Sequence, residues 1–239
     1  MLIRAALLLI PLLALGPGCD PTIDDDDSTE DVADPPQLSL PVLDPTKVAP
    51  PVVGFDHDPE DHDGAYQVLC TDYDGRAFPH CYDGHDGSDF MLDGGFDAMD
   101  YEGSAMVIAA APGTVIAVED GHYDHCHGDL NTLDVDCDGH EMIGNSVIAE
   151  HESGYRLLYW HFMTDSILVA EGDELDTGTP LGLMGSSGRS SGPHLHFEVQ
   201  DPDGEPVNPY AGPHSQDHSY WCDQGHPDDL PGSCPPSGA

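Results

Sequence analysis

The chain has 239 residues, and its 46 Asp and Glu residues against 5 Lys and Arg residues give a formal net charge of -41. This balance argues against nucleic acid as a partner, because phosphate binding needs a basic patch. As the origin of the acidity we rank a solvated surface suited to high salt first. Binding of divalent cations and repulsion from acidic envelope polymers are the other interpretations.

The first 19 residues resemble a bacterial lipoprotein signal. A positive start, Met1–Arg4, precedes an apolar run over residues 5–16 that is too short to span a membrane. We predict lipid attachment at Cys19, because six other cysteines can pair among themselves. Ordinary cleavage with an incidental Cys19 is the alternative. With lipid attachment, the protein is expected in the bacterial cell envelope, held at the membrane by this N-terminal lipid anchor only. With ordinary cleavage, it is expected to be secreted.

Four further segments follow along the chain. Residues 20–51 combine Asp runs with many prolines and predict a disordered linker. Residues 52–79 are rich in Asp but carry scattered apolar side chains, which predicts an extension packed on the domain edge. Residues 80–212 form the predicted main domain, and residues 213–239 form a C-terminal tail.

Short apolar runs separated by Gly and Pro indicate β-strands from residue 105 onward. The predicted strands cover residues 105–110, 113–118, 145–151, 155–161, 166–170, 180–184 and 194–200. We expect the first two to form a hairpin around Pro112-Gly113 and the next two to form another. No stretch has a helical period of useful length. The prediction is an all-β fold, an antiparallel β-sheet folded into a groove with small peripheral sheets and long disulfide-stapled loops.

Six cysteines group locally into three pairs. An exported protein meets an oxidising compartment, and no C-x-x-C motif suggests a cysteine metal site. The predicted disulfides are Cys70–Cys81, Cys126–Cys137 and Cys222–Cys234, the last of which ties down the tail.

The segment His194-Leu195-His196 follows a loop rich in Gly and Ser and carries the strongest functional signal. Residues two apart on a strand point to the same face, so both imidazoles enter one site. Upstream, His85 and Asp89 lie four residues apart, and His161 ends an apolar strand. Two imidazoles and a carboxylate suit zinc, and a catalytic zinc keeps one position open for water. One of His194 and His196 completes the ligand set, with the other histidine and His161 beside it.

Five motifs in order resemble the LytM/lysostaphin-type zinc metallopeptidases of the M23 family. The matching pieces are His85-x-Gly-x-Asp89, Ala111-Pro-Gly-Thr-Val115, Gly144-Asn-Ser-Val-Ile148, Tyr159-x-His161, and Gly185-x-x-Gly188 leading into His194-Leu-His196. The resemblance covers roughly residues 80 to 210. It implies a duplicated-hybrid-motif-like β fold that binds one Zn2+ through His85, Asp89 and His196, with His161 and His194 as the catalytic histidines.

The resemblance also implies a function. It predicts a zinc metalloendopeptidase that hydrolyses peptide bonds of bacterial peptidoglycan cross-links, with the wall peptide as substrate. The alternative is a non-cleaving wall-binding or hydrolase-activating module, against which the intact set of five residues argues. The bond that is cut and the oligomeric state stay open at this point.

Several features depart from the family pattern or stay open. Insertions at residues 91–103 and 120–141 are expected to rim the groove. Within the second, three alternating carboxylates match half of a calcium loop or a solvated turn; they are Asp134, Asp136 and Asp138. Tyr159 is expected on the same face as His161. Arg189 either receives a substrate carboxylate or neutralises nearby acid.

Overall fold

An antiparallel sheet forms the centre of the protein in the computed structural model, which describes residues 34–60, 62, 68–70, 80–129, 134–226 and 228–235. The strands are β1 (Val48–Val53), β2 (Ser88–Leu92), β3 (Met106–Ile108), β4 (Gly113–Glu119), β5 (His127–Asp129), β6 (Asp134–Asp136), β7 (Ser146–Glu150), β8 (Arg156–Trp160), β9 (Glu174–Leu175), β10 (Pro180–Leu183), β11 (His194–Gln200) and β12 (Pro206–Val207).

Eight of these strands form the main sheet in the order β1-β2-β11-β8-β7-β4-β9, with β12 also paired to β11. Strands β10 and β3 form one small sheet, and β5 and β6 form another. The helical segments are a 3-10 turn at Pro45–Lys47, the short helix α1 at Gly95–Asp97, and a π-helical turn at Ala98–Gly103. The predicted all-β class, with antiparallel pairing and small peripheral sheets, is confirmed. Among the described residues no helix is long and apolar enough to cross a membrane.

Strand β11 divides the protein into a core side and a groove side. Leu195, Phe197 and Val199 are fully buried in the hydrophobic core. The alternate positions, His194, His196 and Glu198, line the groove. The alternation of side chains along the strand therefore puts the polar groove residues on one face and the core residues on the other.

The predicted linker is wrong for residues 34–51, whereas residues 20–33 lie outside the described residues. Leu38, Leu40 and Val42 are at most 2% exposed in the core. Their period of two is a strand pattern that the neighbouring prolines obscured in the sequence. Strand β1 then pairs with β2 at the edge of the main sheet, where a proline costs no ladder hydrogen bond.

The two predicted hairpins have different outcomes. Strands β7 and β8 pair as expected around residues 152–154. The hairpin of residues 105–118 is wrong, because β3 pairs with β10 while β4 pairs with β7 and β9. Between them, Ala109 N–H donates to the Thr179 carbonyl and Ala110 N–H donates to the Tyr159 hydroxyl. These bonds hold the segment that connects β3 in the small sheet to β4 in the main sheet.

Other strand and disulfide predictions were tested as well. Residues 180–184 and 194–200 contain β10 and β11 as expected, but residues 166–170 form an extended loop. That loop bonds elsewhere: Leu168 N–H donates to the Leu181 carbonyl, and the Asp173 carboxylate accepts from Ala170 N–H. The three predicted disulfides, Cys70–Cys81, Cys126–Cys137 and Cys222–Cys234, are all confirmed. The predicted signal and Cys19 lie outside the described residues.

Candidate metal centre

The register of the main sheet gathers the predicted site residues. On β11, His196 lies opposite Asp89 of β2 on one side and Trp160 of β8 on the other. His161 directly follows Trp160, and His85 lies in the turn just before β2. Residues distant in the sequence thus meet at the centre of the sheet.

Three of these side chains converge on one point. His85 Nε2 lies 3.1 Å from Asp89 Oδ1 and 3.1 Å from His196 Nδ1. The remaining distance, from His196 Nδ1 to Asp89 Oδ1, is 2.9 Å. His85 and Asp89 are buried, and all three form a group able to hold a metal ion. Two imidazole nitrogens and a carboxylate oxygen are donors that zinc accepts in proteins.

Outer partners fix how the two imidazoles face this point. His85 Nδ1 donates to the Gly54 carbonyl at 2.6 Å, which leaves its Nε2 lone pair for a metal. On the far side of His196, Nε2 faces Asp86 Oδ1 at 3.8 Å and Glu198 Oε2 at 3.9 Å. The sequence analysis missed Gly54, Asp86 and Glu198 in this role. The period of two along β11 could have indicated Glu198, but nothing in the sequence links Gly54 to His85.

The other two histidines lie beside this group. The rings of His161 and His194 are 4.6 Å apart, and both residues are buried. His161 Nδ1 donates to the Ser187 carbonyl at 2.7 Å, and His194 Nδ1 donates to the Gly192 carbonyl at 2.7 Å. Their protons are therefore held on Nδ1, and each Nε2 keeps a lone pair. His194 Nε2 lies 3.6 Å from Asp89 Oδ1.

Burial and neighbouring charges shift the pKa values of the site histidines in different directions. Burial lowers the pKa of His161 well below its usual range, and the nearby imidazoles His194 and His196 add to that effect. Burial also lowers the pKa of His194, against the charge of Asp89. His196 differs, because burial is outweighed by hydrogen bonds to Asp89 and Glu198, which raise its pKa to about 10.

Asp89 carries the negative charge of this cluster. Burial opposes its ionisation, but the charges of His85 and His194 and a hydrogen bond from His196 hold its pKa well below the usual range. Without a metal, His196 therefore shares a proton with Asp89 at the point where the three donors meet. A divalent cation would replace that proton, and this donor set fits zinc in chemistry and spacing.

A groove of about 560 Å³ opens over these residues. Its walls include residues of β1, such as Pro50, together with Val135 from the second insertion, Trp160 and Arg189. The expectation for Tyr159 is wrong, since this residue is fully buried in the core. His161, two residues later, has a φ of 75°, which breaks the alternation of the strand just past β8 and lets its side chain line the groove.

The calcium interpretation of the second insertion is not supported. Asp134 and Asp136 belong to β6, which pairs with β5 as a hairpin and does not wrap around an ion. Asp138 instead accepts a hydrogen bond from the Tyr123 hydroxyl at 2.6 Å. Among the described residues, these three carboxylates do not form a group able to hold a metal ion.

Residues 92–209 match the profile of Peptidase family M23. The match includes His161, His194 and His196, whereas His85 and Asp89 precede it. Peptidoglycan DD-endopeptidase ShyB of Vibrio cholerae is 45% identical over 60 residues, which are 25% of this chain and 14% of that protein. DD-carboxypeptidase/endopeptidase Mpg of Neisseria meningitidis is 46% identical over 68 residues, 28% of this chain and 15% of that protein.

A third relative has a different printed role. Murein hydrolase activator EnvC of Escherichia coli is 34% identical over 105 residues, which are 44% of this chain and 22% of that protein. The aligned parts of ShyB and Mpg are 14% and 15% of their lengths, so this chain corresponds to a small part of each.

Proposed function

We propose that this chain, whose residues 92–209 match Peptidase family M23, is a zinc-dependent endopeptidase that hydrolyses peptide bonds of bacterial peptidoglycan cross-links. One observation carries the proposal: His85, Asp89 and His196 meet in a groove that also holds two buried imidazoles, His161 and His194. The relatives named as peptidoglycan endopeptidases support the substrate class.

The proposed roles follow from the hydrogen bonds. His85, Asp89 and His196 would hold the zinc, which when bound acts as a Lewis acid and lowers the pKa of its water toward neutral. His161 and His194 each present an Nε2 lone pair, because their Nδ1 atoms donate to backbone carbonyls. One of them takes the proton of the attacking water at Nε2.

The lowered pKa of these histidines affects where that proton goes next. An imidazole whose burial opposes charge returns its proton readily, so it can protonate the departing amine nitrogen. The second histidine, 4.6 Å away ring to ring, can orient the water or the peptide carbonyl. Trp160 and the β1 residues Ala49, Pro50, Pro51 and Val53 line the groove beside the site with largely apolar surface.

The test compares zinc content and activity of single variants. We expect the zinc-loaded protein to release new amines from purified peptidoglycan, with the fragments identified by mass spectrometry. His196→Ala should lose zinc, whereas His161→Ala and His194→Ala should keep zinc and lose activity. His226→Ala changes an exposed histidine of the tail and serves as the control. Full activity in both His161→Ala and His194→Ala would refute the mechanism.

A hydrolase-activating module is the second candidate function, and the similarity to EnvC favours it. The same experiment separates the two. A zinc-loaded protein that binds peptidoglycan, releases no new amines, and increases the activity of a separate wall hydrolase would support activation.

The proposed substrate places the protein in the cell envelope. This location is supported by the relatives named for peptidoglycan and murein. Attachment by a lipid at Cys19 stays a prediction. Labelling with a fatty-acid probe should mark the wild-type protein and not Cys19→Ala.

A further inference from the structure

We propose that Arg189 binds a carboxylate of the substrate, so that the groove selects wall peptides with a free carboxylate close to the cleaved bond. The inference rests on the proposed function, because it names the substrate class of the same groove. It decides between the two interpretations of Arg189 that the sequence left open.

Arg189 is exposed on the groove wall and has no partner among the described residues. It lines the groove together with His161 and His194. No described carboxylate lies within ion-pair distance of its guanidinium, and no hydrogen bond from it is formed. By contrast, Arg156 pairs with Glu150 at 3.3 Å. In a chain with a net charge of -41, an unpaired cation beside the reactive groups is poorly explained as neutralisation of protein acid.

The loop that carries Arg189 is held in place on both sides. Gly188 has a φ of 70° and approaches Gly144 so closely that a Cβ would lie 2.6 Å from the Gly144 nitrogen. On the other side, Ser190 Oγ donates to the Gly192 carbonyl at 2.8 Å. The arginine therefore needs little backbone ordering to bind a ligand, which favours affinity.

The second insertion reinforces this loop from outside. Gly128 N–H donates to the Ser191 carbonyl at 3.1 Å, and Cys126 N–H donates to the Ser186 carbonyl at 2.9 Å. The Cys137 sulfur lies 3.4 Å from the Gly188 carbonyl oxygen. The disulfide-stapled insertion and the Arg189 loop thus form one connected wall of the groove.

The charge pattern of the groove gives the arginine a directing role. Away from the metal centre, the other charged side chains along it are carboxylates, including Asp83, Asp86 and Glu198, which repel a substrate carboxylate, whereas Arg189 attracts one. A guanidinium binds a carboxylate through two parallel hydrogen bonds, which fixes orientation as well as position.

The test uses a synthetic cross-linked stem-peptide dimer with free carboxylates. Two analogues carry an amide in place of either the C-terminal carboxylate or the diamino-acid side-chain carboxylate. Amidation of the carboxylate that meets Arg189 should raise KM about 10- to 100-fold, as expected for loss of a charge-assisted pair. Arg189→Ala should raise KM for the free acid by the same factor and abolish the difference between acid and amide.

Two variants make the result specific. Arg189→Lys keeps the charge but not the paired donors, so its KM should lie between those of the wild type and Arg189→Ala. Arg156→Ala removes an arginine that faces Glu150 instead of the groove, and it should behave like the wild type. Equal KM values for the acid and both amides in the wild type would overturn the proposal.

A binding measurement separates this inference from the proposed activity. With zinc removed by a chelator, the wild type should bind the free acid more tightly than the matching amide, and Arg189→Ala should show no preference. If the zinc-loaded protein cleaves no peptide while this preference persists, the endopeptidase proposal fails and the carboxylate site stands. Cleavage of the peptides without any preference in binding or KM would refute the carboxylate site and leave the endopeptidase proposal standing.

Discussion

Asp56 should control zinc affinity although it does not touch the proposed metal position. Its buried carboxylate accepts hydrogen bonds from the backbone N–H groups of Asp58 and Leu69 through Oδ1 and of Gly84 through Oδ2. Its own N–H donates to the His85 carbonyl at 2.7 Å. Both bonds toward residues 84 and 85 hold the turn that presents His85 to the other ligands.

The replacement Asp56→Asn keeps size and shape but offers one acceptor oxygen instead of two. In either orientation the new amide group faces a backbone N–H, so a donor meets a donor. Loss of a charge-assisted hydrogen bond with a buried group left unpaired costs about 1.5–3 kcal/mol of unfolding free energy. Misplacement of His85 should weaken zinc binding about 10- to 100-fold, the usual effect of removing an outer partner of a metal ligand.

Denaturant unfolding of the metal-free variant and competition with a chromophoric zinc chelator measure the two effects. Asp58→Asn is the matched control, since the partly buried Asp58 carboxylate bonds Glu60 and His62 and makes no hydrogen bond to residues 84 and 85. It should leave zinc affinity unchanged. Wild-type stability and wild-type zinc affinity in Asp56→Asn would refute this account of how His85 is positioned.

Three further results are expected. Burial holds the pKa of His161 well below its usual range, so folding keeps this imidazole neutral while the unfolded chain takes up a proton below about pH 6.5. The metal-free wild type should therefore lose more stability than metal-free His161→Ala between about pH 7.5 and about pH 5, and the same change of the denaturant midpoint in both proteins would contradict this. Gly87→Ala places a Cβ 2.6 Å from His196 Cε1, so chelator competition should show weaker zinc binding; unchanged affinity would mean that the ring is not held there. Tyr159→Phe removes the acceptor for Ala110 N–H and should cost about 1–3 kcal/mol in denaturant unfolding without changing zinc affinity.

The parts of the fold that local patterns determine were predictable. The run from His194 to Gln200 alternates apolar core residues with groove residues, and it forms β11 with those bounds. The hairpin of β7 and β8 has a short turn with Gly154 at a φ of 84°, a conformation that glycine adopts readily. The pairs of cysteines close short loops, and proximity in the sequence was sufficient to assign them.

The errors come from tertiary contacts that a local pattern does not contain. Residues 34–51 look like a linker because prolines interrupt them, yet Leu38 pairs with Trp221 from the far end of the chain. The turn at Pro112-Gly113 looks like a hairpin, but Tyr159 and Thr179 hold the preceding segment between two sheets. The backbone carbonyl of Gly54 gives no sequence signal at all.

The candidate site was predictable in part. The spacing of His85 and Asp89 and the pair on β11 indicated the residues that the structure brings together, because side-chain chemistry is visible in a sequence. The face that each residue of β8 takes was not predictable: the register with β11 puts Tyr159 in the core beside Phe197 and Trp160 on the groove beside His196. His161 reaches the groove as well because its left-handed φ breaks the alternation. Outer partners such as Asp86 depend on the final geometry.

The most direct test is a crystal structure of the zinc-loaded protein with anomalous scattering recorded at the zinc absorption edge. The account predicts one anomalous peak contacted by His85 Nε2, Asp89 Oδ1 and His196 Nδ1, with a water molecule as the remaining ligand. A peak at other residues, or a fourth protein atom in place of the water, would contradict it.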